Sequence, residues 1–174
     1  AIVLLVLLSP LILLIAIAIK LDSPGPILFH QQRAGERGRL FTMYKFRSMV
    51  WDAESQITYS QNYKHADDPR VTRVGRWLRR LSLDEIPQFV NVLLGDMSLV
   101  GPRRELPQVI GHYSPLQWKR FEVPQGVTGW WQINGRADRP MYEHTDYYFF
   151  YIRNYSVWLD VMILAGTPLA GLNG

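Results

Sequence analysis

Cysteine is absent from the 174-residue chain, and this absence excludes several kinds of chemistry. Without a thiol there is no disulfide framework, no thiolate nucleophile and no cysteine-ligated zinc or iron–sulfur site. The four histidines are scattered without HExxH-type spacing, which argues against a zinc hydrolase. Charged residues make up only 20% of the chain and the net charge is +4, so nucleic-acid binding is a weak interpretation.

Apolar and aromatic residues are abundant instead. A hydrophobic content of 48% argues against disorder, and the length fits one domain with a core of its own. Six tryptophans and nine tyrosines help to raise the aromatic content to 13%. Rings with a polar tip collect where one side is apolar and the other is wet, and membrane interfaces are one such place.

The segment Ala1–Ile19 carries no charge and is interrupted only by Ser9 and Pro10. As a helix it would cover about 28 Å, just enough for a hydrocarbon core of roughly 30 Å. Pro10 removes a helical hydrogen bond and clashes with the carbonyl of Val6, which the Ser9 hydroxyl is well placed to satisfy. Two structures fit this pattern: a kinked spanning helix, or a helix that breaks and returns to the face it entered from.

The β-rich segments Ile27–Gln32 and Leu40–Phe46 flank a turn at Gly35–Gly38, which predicts a β-hairpin. The rest of the chain reads as mostly helical, so the predicted fold class is mixed α/β with a small hairpin. Four further segments predict, in order, a polar helix or loop, a loop-rich stretch, an aromatic belt and a last apolar helix: Asp52–Asp68, Pro102–Asn134, Tyr147–Tyr151 and Ser156 to about Ala165.

Two consecutive helices are predicted in the middle of the chain. In Arg73–Leu81, apolar residues recur at i, i+3, i+4 and i+7, with arginines on the other face. This pattern fits either a core-packed helix with a solvated basic face or an interfacial helix beside anionic lipid or substrate phosphates. The second helix begins with the capping-box pattern Ser82–Glu85, buries the apolar residues of Phe89–Leu94 and stops at Gly95.

Asp84 and Glu85 are adjacent carboxylates at this helix start. The helix dipole and the free backbone amides favour their ionised forms. The simplest interpretation is that they cap the helix. The functional interpretation is a nucleophilic carboxylate, as aspartyl-phosphate chemistry requires, whose neighbour holds a divalent metal such as Mg²⁺ together with substrate phosphates.

Three basic clusters are candidates for binding those phosphates, because arginine suits bidentate phosphate contacts. The alternative is surface charge that serves solubility or attraction to anionic lipid. Each cluster lies next to a turn or a helix start, which favours a shared role. The clusters are Lys45-Phe-Arg47, Arg79-Arg80 and Arg103-Arg104.

Longer motifs follow one another along the chain. They are Lys45-Phe-Arg-Ser-Met49, Asp68-Pro-Arg-Val-Thr72, Ser82-Leu-Asp-Glu-Ile-Pro-Gln88, Asn91-Val92, Gly95-Asp-Met-Ser-Leu-Val-Gly-Pro-Arg103, Pro124-Gln-Gly-Val-Thr-Gly129 and Gln132-Ile-Asn-Gly-Arg136. In order and spacing they resemble the bacterial sugar transferases, the monotopic phosphoglycosyl transferases that begin polysaccharide and glycoconjugate assembly. The resemblance runs from the Ser9-Pro10 break to Trp158-Leu-Asp160.

The resemblance implies an N-terminal re-entrant membrane helix over residues 1–22, broken at Ser9 and Pro10, with both flanks on the cytoplasmic face. Residues 23–174 would form a catalytic domain with interfacial amphipathic helices on the cytoplasmic face of the bacterial inner membrane. Four aromatic side chains are expected to set the depth of that domain at the bilayer: Trp77, Tyr147, Tyr148 and Trp158.

The implied reaction is transfer of a sugar-1-phosphate from a UDP-sugar to polyprenyl (undecaprenyl) phosphate, with release of UMP and a requirement for Mg²⁺. Asp84 matches the family's nucleophile, which forms a covalent phosphosugar intermediate, and Glu85 matches the residue expected to help hold Mg²⁺. The predicted metal site is therefore Asp84 and Glu85. The predicted phosphate- and nucleotide-binding residues are Lys45, Arg47, Arg79, Arg80, Arg103, Arg104 and Arg136.

Arg104 departs from the family pattern, in which a proline commonly follows Gly-Pro-Arg. We expect this extra cation to compensate for the proline by acting near a pyrophosphate. Two other functions are weighed against the enzyme: a non-enzymatic membrane scaffold for glycan-assembly proteins, and a basic peripheral protein that binds nucleic acid. A scaffold would have no reason to keep Asp84 and Glu85 beside arginines. A homo-oligomer is compatible with any of the three.

Overall fold

The computed structural model describes residues 1–51, 53, 68–134 and 145–172. The predicted mixed α/β class, mostly helical, is confirmed for these residues. The helices are α1 (Ile2–Leu7), α2 (Ser9–Asp22), α3 (Arg73–Arg80), α4 (Gln88–Leu93), α5 (Pro107–Ile110), α6 (Pro115–Trp118), α7 (Trp130–Asn134), α8 (Thr145–Arg153) and α9 (Val157–Leu172). The strands are β1 (Leu28–Ala34), β2 (Leu40–Phe46), β3 (Ser98–Val100) and β4 (Gly126–Thr128).

The predicted hairpin is confirmed. Strands β1 and β2 pair antiparallel from Leu28 opposite Phe46 to Ala34 opposite Leu40. Side chains two residues apart share one face of a strand, so Phe41 and Met43, which are buried, lie on the same face as Lys45. The hairpin therefore carries a lysine at the end of a core-facing row.

A second, smaller sheet is not predicted from the sequence: β4 lies in the stretch expected to be loop-rich, and β3 lies just before that stretch. Strands β3 and β4 pair in parallel, with Ser98 opposite Gly126 and Val100 opposite Thr128. The two strands approach so closely that a Cβ atom at Gly126 would lie 2.1 Å from the backbone nitrogen of Gly101. Each strand has three residues, which is too short for an alternating pattern to show in the sequence.

The apolar N-terminal segment is divided into α1 and α2 at the expected place. The Ser9 hydroxyl donates a hydrogen bond to the Val6 carbonyl over 2.7 Å, as the sequence predicts. Pro10 lies in the first turn of α2, where its missing N–H has no helical partner to lose. Among the described residues, no helix is both long enough and apolar enough to span a membrane.

Both halves of this segment pack on the rest of the structure. Helix α1 contacts α4, and helix α2 contacts α3. Ile15 and Ile19 are buried in a core cluster that includes Leu78 of α3. Asp22, at the end of α2, accepts a hydrogen bond from the backbone N–H of Val74 over 2.9 Å. The break thus lies between two helices that are each held against the same body.

Helix α3 confirms the predicted helix, but its apolar row is only half buried. Leu78 is 4% exposed, whereas Trp77 and Leu81 are 64% and 44% exposed. The reason is that the helix packs closely on its neighbours along one side only, where a Cβ at Gly75 would lie 2.0 Å from the carbonyl oxygen of Ser48. Helix α3 therefore has a core-packed edge and an exposed face that carries tryptophan and arginine, and a position beside anionic lipid or substrate phosphates stays a prediction.

The predicted capping box at Ser82 is wrong. Ser82 has left-handed backbone angles, φ 56° and ψ 21°, whereas an N-cap residue is normally extended. Residues Leu83–Glu85 form a single 3₁₀ turn, and α4 begins only at Gln88, after Pro87. The Oε1 atom of the Glu85 side chain accepts hydrogen bonds from Lys45 and Arg104, which come from distant parts of the chain.

The apolar stripe predicted over Phe89–Leu94 is also wrong in part. Val90, Leu93 and Leu94 are exposed, whereas the polar Gln88 and Asn91 are completely buried. Polar side chains turn inward here because Asn91 hydrogen bonds to the backbone of β2. The predicted stop at Gly95 is confirmed, with a left-handed φ of 80° directly after the helix.

The aromatic residues expected at a bilayer surface separate into two groups. Trp77 and Trp158 are exposed, and Tyr147 is half buried. Tyr148 is 2% exposed, which is incompatible with an interfacial position, because its ring lies under the guanidinium of Arg120 at 3.9 Å. The last helix is longer than predicted, since α9 extends beyond Ala165 to Leu172.

Candidate active site

The adjacent carboxylates lie in the 3₁₀ turn between α3 and α4, and this turn packs on α3 and β2. Strand β2 supplies Lys45. The Lys45 Nζ atom lies 2.8 Å from Oε1 of Glu85 and 3.6 Å from Oδ2 of Asp84. One ammonium group therefore serves two carboxylates, which lowers the repulsion between neighbouring negative charges.

A second cation reaches the same carboxylate from another part of the chain. Arg104 follows β3 and is 3% exposed. Its Nη2 atom donates to Oε1 of Glu85 over 2.7 Å, and its Nε atom donates to the Met43 sulfur over 3.2 Å. Glu85 Oε1 thus accepts charged hydrogen bonds from both Lys45 and Arg104.

These cations decide the charge of Glu85. Burial by itself raises the pKa of the Glu85 carboxyl, but the charges of Arg104, Lys45 and Arg103 outweigh it and hold that pKa well below its usual range. Glu85 is therefore ionised at neutral pH. An ionised carboxylate in a poorly hydrated place is a strong acceptor for hydrogen bonds and a good ligand for a hard cation.

Two more arginines surround the pair. The Arg103 guanidinium lies 4.6 Å from the centre of the Trp131 ring, and burial together with the Arg104 charge lowers the pKa of Arg103. Burial and the charges of Arg104 and Arg103 also lower the pKa of Arg33 to about 10. We call Arg33, Lys45, Arg103 and Arg104 the cationic cluster. The lowered pKa values of Arg33 and Arg103 indicate a concentration of positive charge that favours an anionic ligand.

Sequence reasoning missed Arg33. A signal was available, since Arg33 pairs with Phe41 in the hairpin register and so lies on the face of the hairpin that also carries Lys45. The sequence predicts the hairpin but not the register between its strands, on which the position of Arg33 depends.

The remaining predicted cations have other contacts. The Arg47 guanidinium donates to the backbone carbonyls of Ser23, over 2.8 Å, and Pro24. Arg79 donates from Nε to the Ser48 hydroxyl over 3.1 Å. Arg47 therefore holds the end of α2, and Arg79 holds the chain that follows β2.

Arg80 and Arg136 are not brought to the carboxylate pair by any described contact. The Arg80 guanidinium lies over the exposed Trp77 ring at 5.8 Å. Arg136 lies outside the described residues, as does almost all of the predicted polar segment Asp52–Asp68. A nucleotide-binding role for Arg80 or Arg136 stays a prediction.

A separate network of buried polar groups supports the loop that carries Arg104. Glu105 accepts a hydrogen bond from the Tyr113 hydroxyl over 2.8 Å and lies 3.8 Å from the Arg120 guanidinium. Arg120 also donates to the backbone carbonyl of Arg103. The loop is therefore fixed from its far side, away from Glu85, by a second acid–base pair.

The carboxylate pair is chemically suited to Mg²⁺. The described residues contain no group of three or more histidine or carboxylate side chains that could enclose a metal. Mg²⁺ does not need such a cage, since it is commonly bound by one or two carboxylates, with water and substrate phosphates as the other ligands. Asp84 and Glu85 are the two carboxylates that would hold such an ion, and Glu85 has its Oε2 atom in addition to the engaged Oε1.

Comparison with known proteins places this arrangement in context. The family model described as bacterial sugar transferase matches residues 1–174. The chain is 45% identical, over 94% of its length, to an undecaprenyl-phosphate glucose phosphotransferase of Komagataeibacter xylinus, and 41% identical, over 91% of its length, to an uncharacterized sugar transferase of Bacillus subtilis. It is also 43% identical over its whole length to a UDP-N-acetylgalactosamine-undecaprenyl-phosphate N-acetylgalactosaminephosphotransferase of Aeromonas hydrophila.

The matches cover different shares of these relatives. The chain spans 32% of the Komagataeibacter protein and 42% of the Aeromonas protein, but 76% of the Bacillus protein. The family match extends over the N-terminal helices, the carboxylate pair and the cationic cluster alike. The chain belongs to the bacterial sugar transferase family.

Proposed function

We propose that the chain transfers a sugar-1-phosphate from a UDP-sugar to undecaprenyl phosphate and releases UMP, as the first membrane step of exopolysaccharide or related glycan assembly. The names of the relatives support the acceptor and the type of reaction. The observation that carries the proposal is the adjacent pair Asp84–Glu85, which Lys45 and Arg104 of the cationic cluster contact directly and in which Glu85 is kept ionised. A non-enzymatic scaffold would gain nothing from an adjacent carboxylate pair held between cations in this way.

In the proposed reaction Asp84 is the nucleophile. One of its carboxylate oxygens attacks the phosphorus that bears the sugar, and the bond from that phosphorus to the bridging oxygen breaks, so that UMP leaves with the electron pair. A phosphate oxygen of the polyprenyl phosphate then attacks the same phosphorus. The bond to Asp84 breaks, and the carboxylate is regenerated for the next cycle.

The neighbouring cations have distinct roles in this proposal. Lys45, whose Nζ atom lies 3.6 Å from Oδ2 of Asp84, places a positive charge beside the nucleophile. Arg103 and Arg33 supply the positive charge that balances the diphosphate. Asp84 and Glu85 would hold Mg²⁺, which supplies charge neutralisation at the leaving phosphate when it is bound.

We also propose that residues 1–22 enter the bilayer and return. The support is that α1 and α2 both contact the domain that carries the site, α1 through α4 and α2 through α3. A helix that continued straight across the bilayer would carry α1 away from α4. The outward side chains of both helices are large and apolar, as lipid contact requires: Ile2, Val3, Val6, Leu7, Leu13, Leu14, Ile17 and Leu21.

The test of the reaction is UMP release by purified protein with undecaprenyl phosphate, Mg²⁺ and a panel of UDP-sugars. A labelled UDP-sugar supplied without acceptor should leave its label on the protein. Asp84→Asn should abolish both signals, because an amide oxygen is a poor nucleophile, and Glu36→Gln, at an exposed hairpin position, should change neither. Label that persists on the Asp84→Asn protein would disprove the nucleophile assignment.

The test of the topology uses cysteine-specific labelling, because the chain has no cysteine of its own. A cysteine placed at Ile2 and another at Asp22 should both be labelled only from the cytoplasmic side in inverted and right-side-out vesicles. Replacing Ser9 and Pro10 with alanine and leucine should straighten the helix and expose position 2 on the other side. Labelling of position 2 from outside in the otherwise unchanged protein would rule out re-entry.

A further inference from the structure

Arg104 has an environment that differs from that of the other cations at the site. It comes from the loop after β3 and is 3% exposed, so its guanidinium is almost completely removed from solvent. All three of its nitrogen atoms face protein atoms. Nε donates to the Met43 sulfur, Nη1 lies 3.4 Å from the carbonyl oxygens of Gly126 and Val127, and Nη2 donates to Glu85.

This environment separates Arg104 from a substrate. A buried guanidinium is stable only when its N–H groups have partners, and here those partners belong to the hairpin, to β4 and to the carboxylate pair. A phosphate group would have to displace one of them. Arg103, which is the next residue and is only partly buried, lies on the Trp131 ring and is the better candidate for direct substrate contact.

The contact with Glu85 has a consequence for Lys45. Lys45 lies 2.8 Å from Glu85 and 3.6 Å from Asp84, so it is shared unequally between them. With Arg104 in place, two cations face two carboxylates. Without Arg104, Lys45 would be the nearer cation for both, and Glu85, with its shorter contact, would draw it away from Asp84.

The contact also ties the site to both sheets. Lys45 reaches Glu85 Oε1 from β2 of the hairpin, and Arg104 reaches the same oxygen from the loop after β3. Two charged donors from different elements fix one carboxylate oxygen far better than either does alone, because each restricts the rotamers that the other allows.

We propose that Arg104 is a positioning residue that fixes Glu85 beside Asp84 and keeps Lys45 shared between the two carboxylates. It acts through Glu85 rather than on the substrate. The family's usual proline at this position cannot make such a contact, so the proposal is specific to chains that carry arginine here. Its kinetic part rests on the proposed function, and its structural part does not.

The experiment combines Arg104→Met, Arg104→Lys and Glu85→Gln in a double-mutant cycle, followed both by UMP release and by urea unfolding. Arg104→Met should lower kcat by about 10- to 100-fold, the size expected when a reacting group is displaced by up to an ångström, with little change in KM for the UDP-sugar. Arg104→Lys, which keeps the charge but not the fork of donors, should recover part of that loss. In the Glu85→Gln background, Arg104→Met should have almost no further effect on kcat.

Arg120→Met is the matched control. Arg120 is also 3% exposed and is paired with the neighbouring acid, Glu105. Its loss should lower stability while kcat per folded molecule stays close to the wild-type value. An equal fall in kcat for Arg120→Met and Arg104→Met would show that loop stability alone is at work, and would overturn the proposal.

Further results of the same experiment would also overturn the proposal for Arg104. If Arg104→Met raises KM without lowering kcat, Arg104 contacts the substrate and the proposal is wrong. If the two variants are additive in kcat, Arg104 does not act through Glu85. If the wild type releases no UMP from any UDP-sugar, the proposed function fails. The double-mutant cycle measured by urea unfolding then still tests the structural part. That part predicts a clear coupling energy between Arg104 and Glu85, and additive changes in the free energy of unfolding would contradict it.

Discussion

Replacing Asn91 should weaken the packing around the candidate site, although the hydrogen bonds of its side chain are made to β2 and Asp96 rather than to the carboxylate pair. It is completely buried in α4, the helix that follows the carboxylate pair. Its Oδ1 atom accepts from the Tyr44 backbone N–H over 3.1 Å, and its Nδ2 atom donates to the Thr42 carbonyl over 2.7 Å. Nδ2 also lies 3.3 Å from an oxygen of Asp96. Asn91 thus joins α4 to the part of β2 that immediately precedes Lys45.

The magnitude for Asn91→Ala follows from these three bonds. Each neutral hydrogen bond contributes about 1 kcal/mol, and the one to the Asp96 carboxylate about 1.5 kcal/mol, so the free energy of unfolding should fall by about 3–4 kcal/mol. Domains of this size lose roughly 2–4 °C of melting temperature per kcal/mol, which gives a decrease of about 6–16 °C. The total stability of a domain is about 5–15 kcal/mol, so the variant should still fold at low temperature.

Urea unfolding monitored by tryptophan fluorescence measures this change. Asn154→Ala is the control, because Asn154 is exposed and its amide makes one local bond, to the Phe150 carbonyl. Asn91→Asp is nearly isosteric, but it places an oxygen where Nδ2 donates, so it should be destabilised at neutral pH and recover, relative to wild type, as the new carboxyl protonates. A loss below about 1 kcal/mol for Asn91→Ala, within the range of a surface change, would refute the reasoning.

Three further predictions rest on other contacts. Gly75→Ala should destabilise the fold by about 1–3 kcal/mol in a thermal melt, because the new Cβ would lie 2.0 Å from the carbonyl oxygen of Ser48. Gly111→Ala is the control and should leave the melting temperature unchanged, because its nearest atom would be 4.0 Å away. Hydrogen bonds from Arg70 lower the pKa of Asp68 from 3.8 to about 2, so the Asp68 carboxylate stabilises the fold above about pH 4 and loses this effect as the pH falls toward 2. The difference in free energy of unfolding between wild type and Asp68→Asn should therefore shrink over that interval. A difference that stays constant with pH would contradict this prediction. Arg33→Met should raise the melting temperature of the substrate-free protein, because burial and the charges of Arg104 and Arg103 disfavour the charged guanidinium until an anion binds. The same variant should raise KM for the UDP-sugar. A lower melting temperature with unchanged KM would count against the cationic cluster.

Features that depend on neighbours in sequence could be predicted. The turn at Gly35–Gly38 and the alternation in Leu40–Phe46 specify the hairpin, because both are local properties of the backbone. The division of the apolar segment at Ser9 follows from the geometry of proline and of a hydroxyl three residues after a carbonyl. The helix stop at Gly95 follows from its left-handed φ. Each of these needs no information about distant residues.

The failures share the opposite property. Ser82–Glu85 has the composition of a capping box, yet Glu85 is held by Lys45, 40 residues before it, and Arg104, 19 residues after it. Charged partners at that distance outweigh a local hydrogen bond that is worth about 1 kcal/mol. The inward direction of Asn91 has the same origin, since its partners lie on a strand more than forty positions earlier.

The sequence predicts most of the residues that the structure brings together around the carboxylate pair, but not the contacts that each of them makes. Asp84, Glu85, Lys45 and both arginines of the Arg103-Arg104 pair were predicted as one group, and the structure brings their side chains or charges together. In the sequence the two adjacent arginines differ only in that Arg104 replaces the family's usual proline, and both are predicted to bind phosphate. In the structure their contacts differ: Arg103 lies on the Trp131 ring, and Arg104 is buried and donates a hydrogen bond to Glu85. Residue types and spacing thus indicate which chemistry a site can perform. Tertiary packing decides which cation faces the substrate and which holds the carboxylate, because it determines the burial of each cation and the oxygen atoms within its reach.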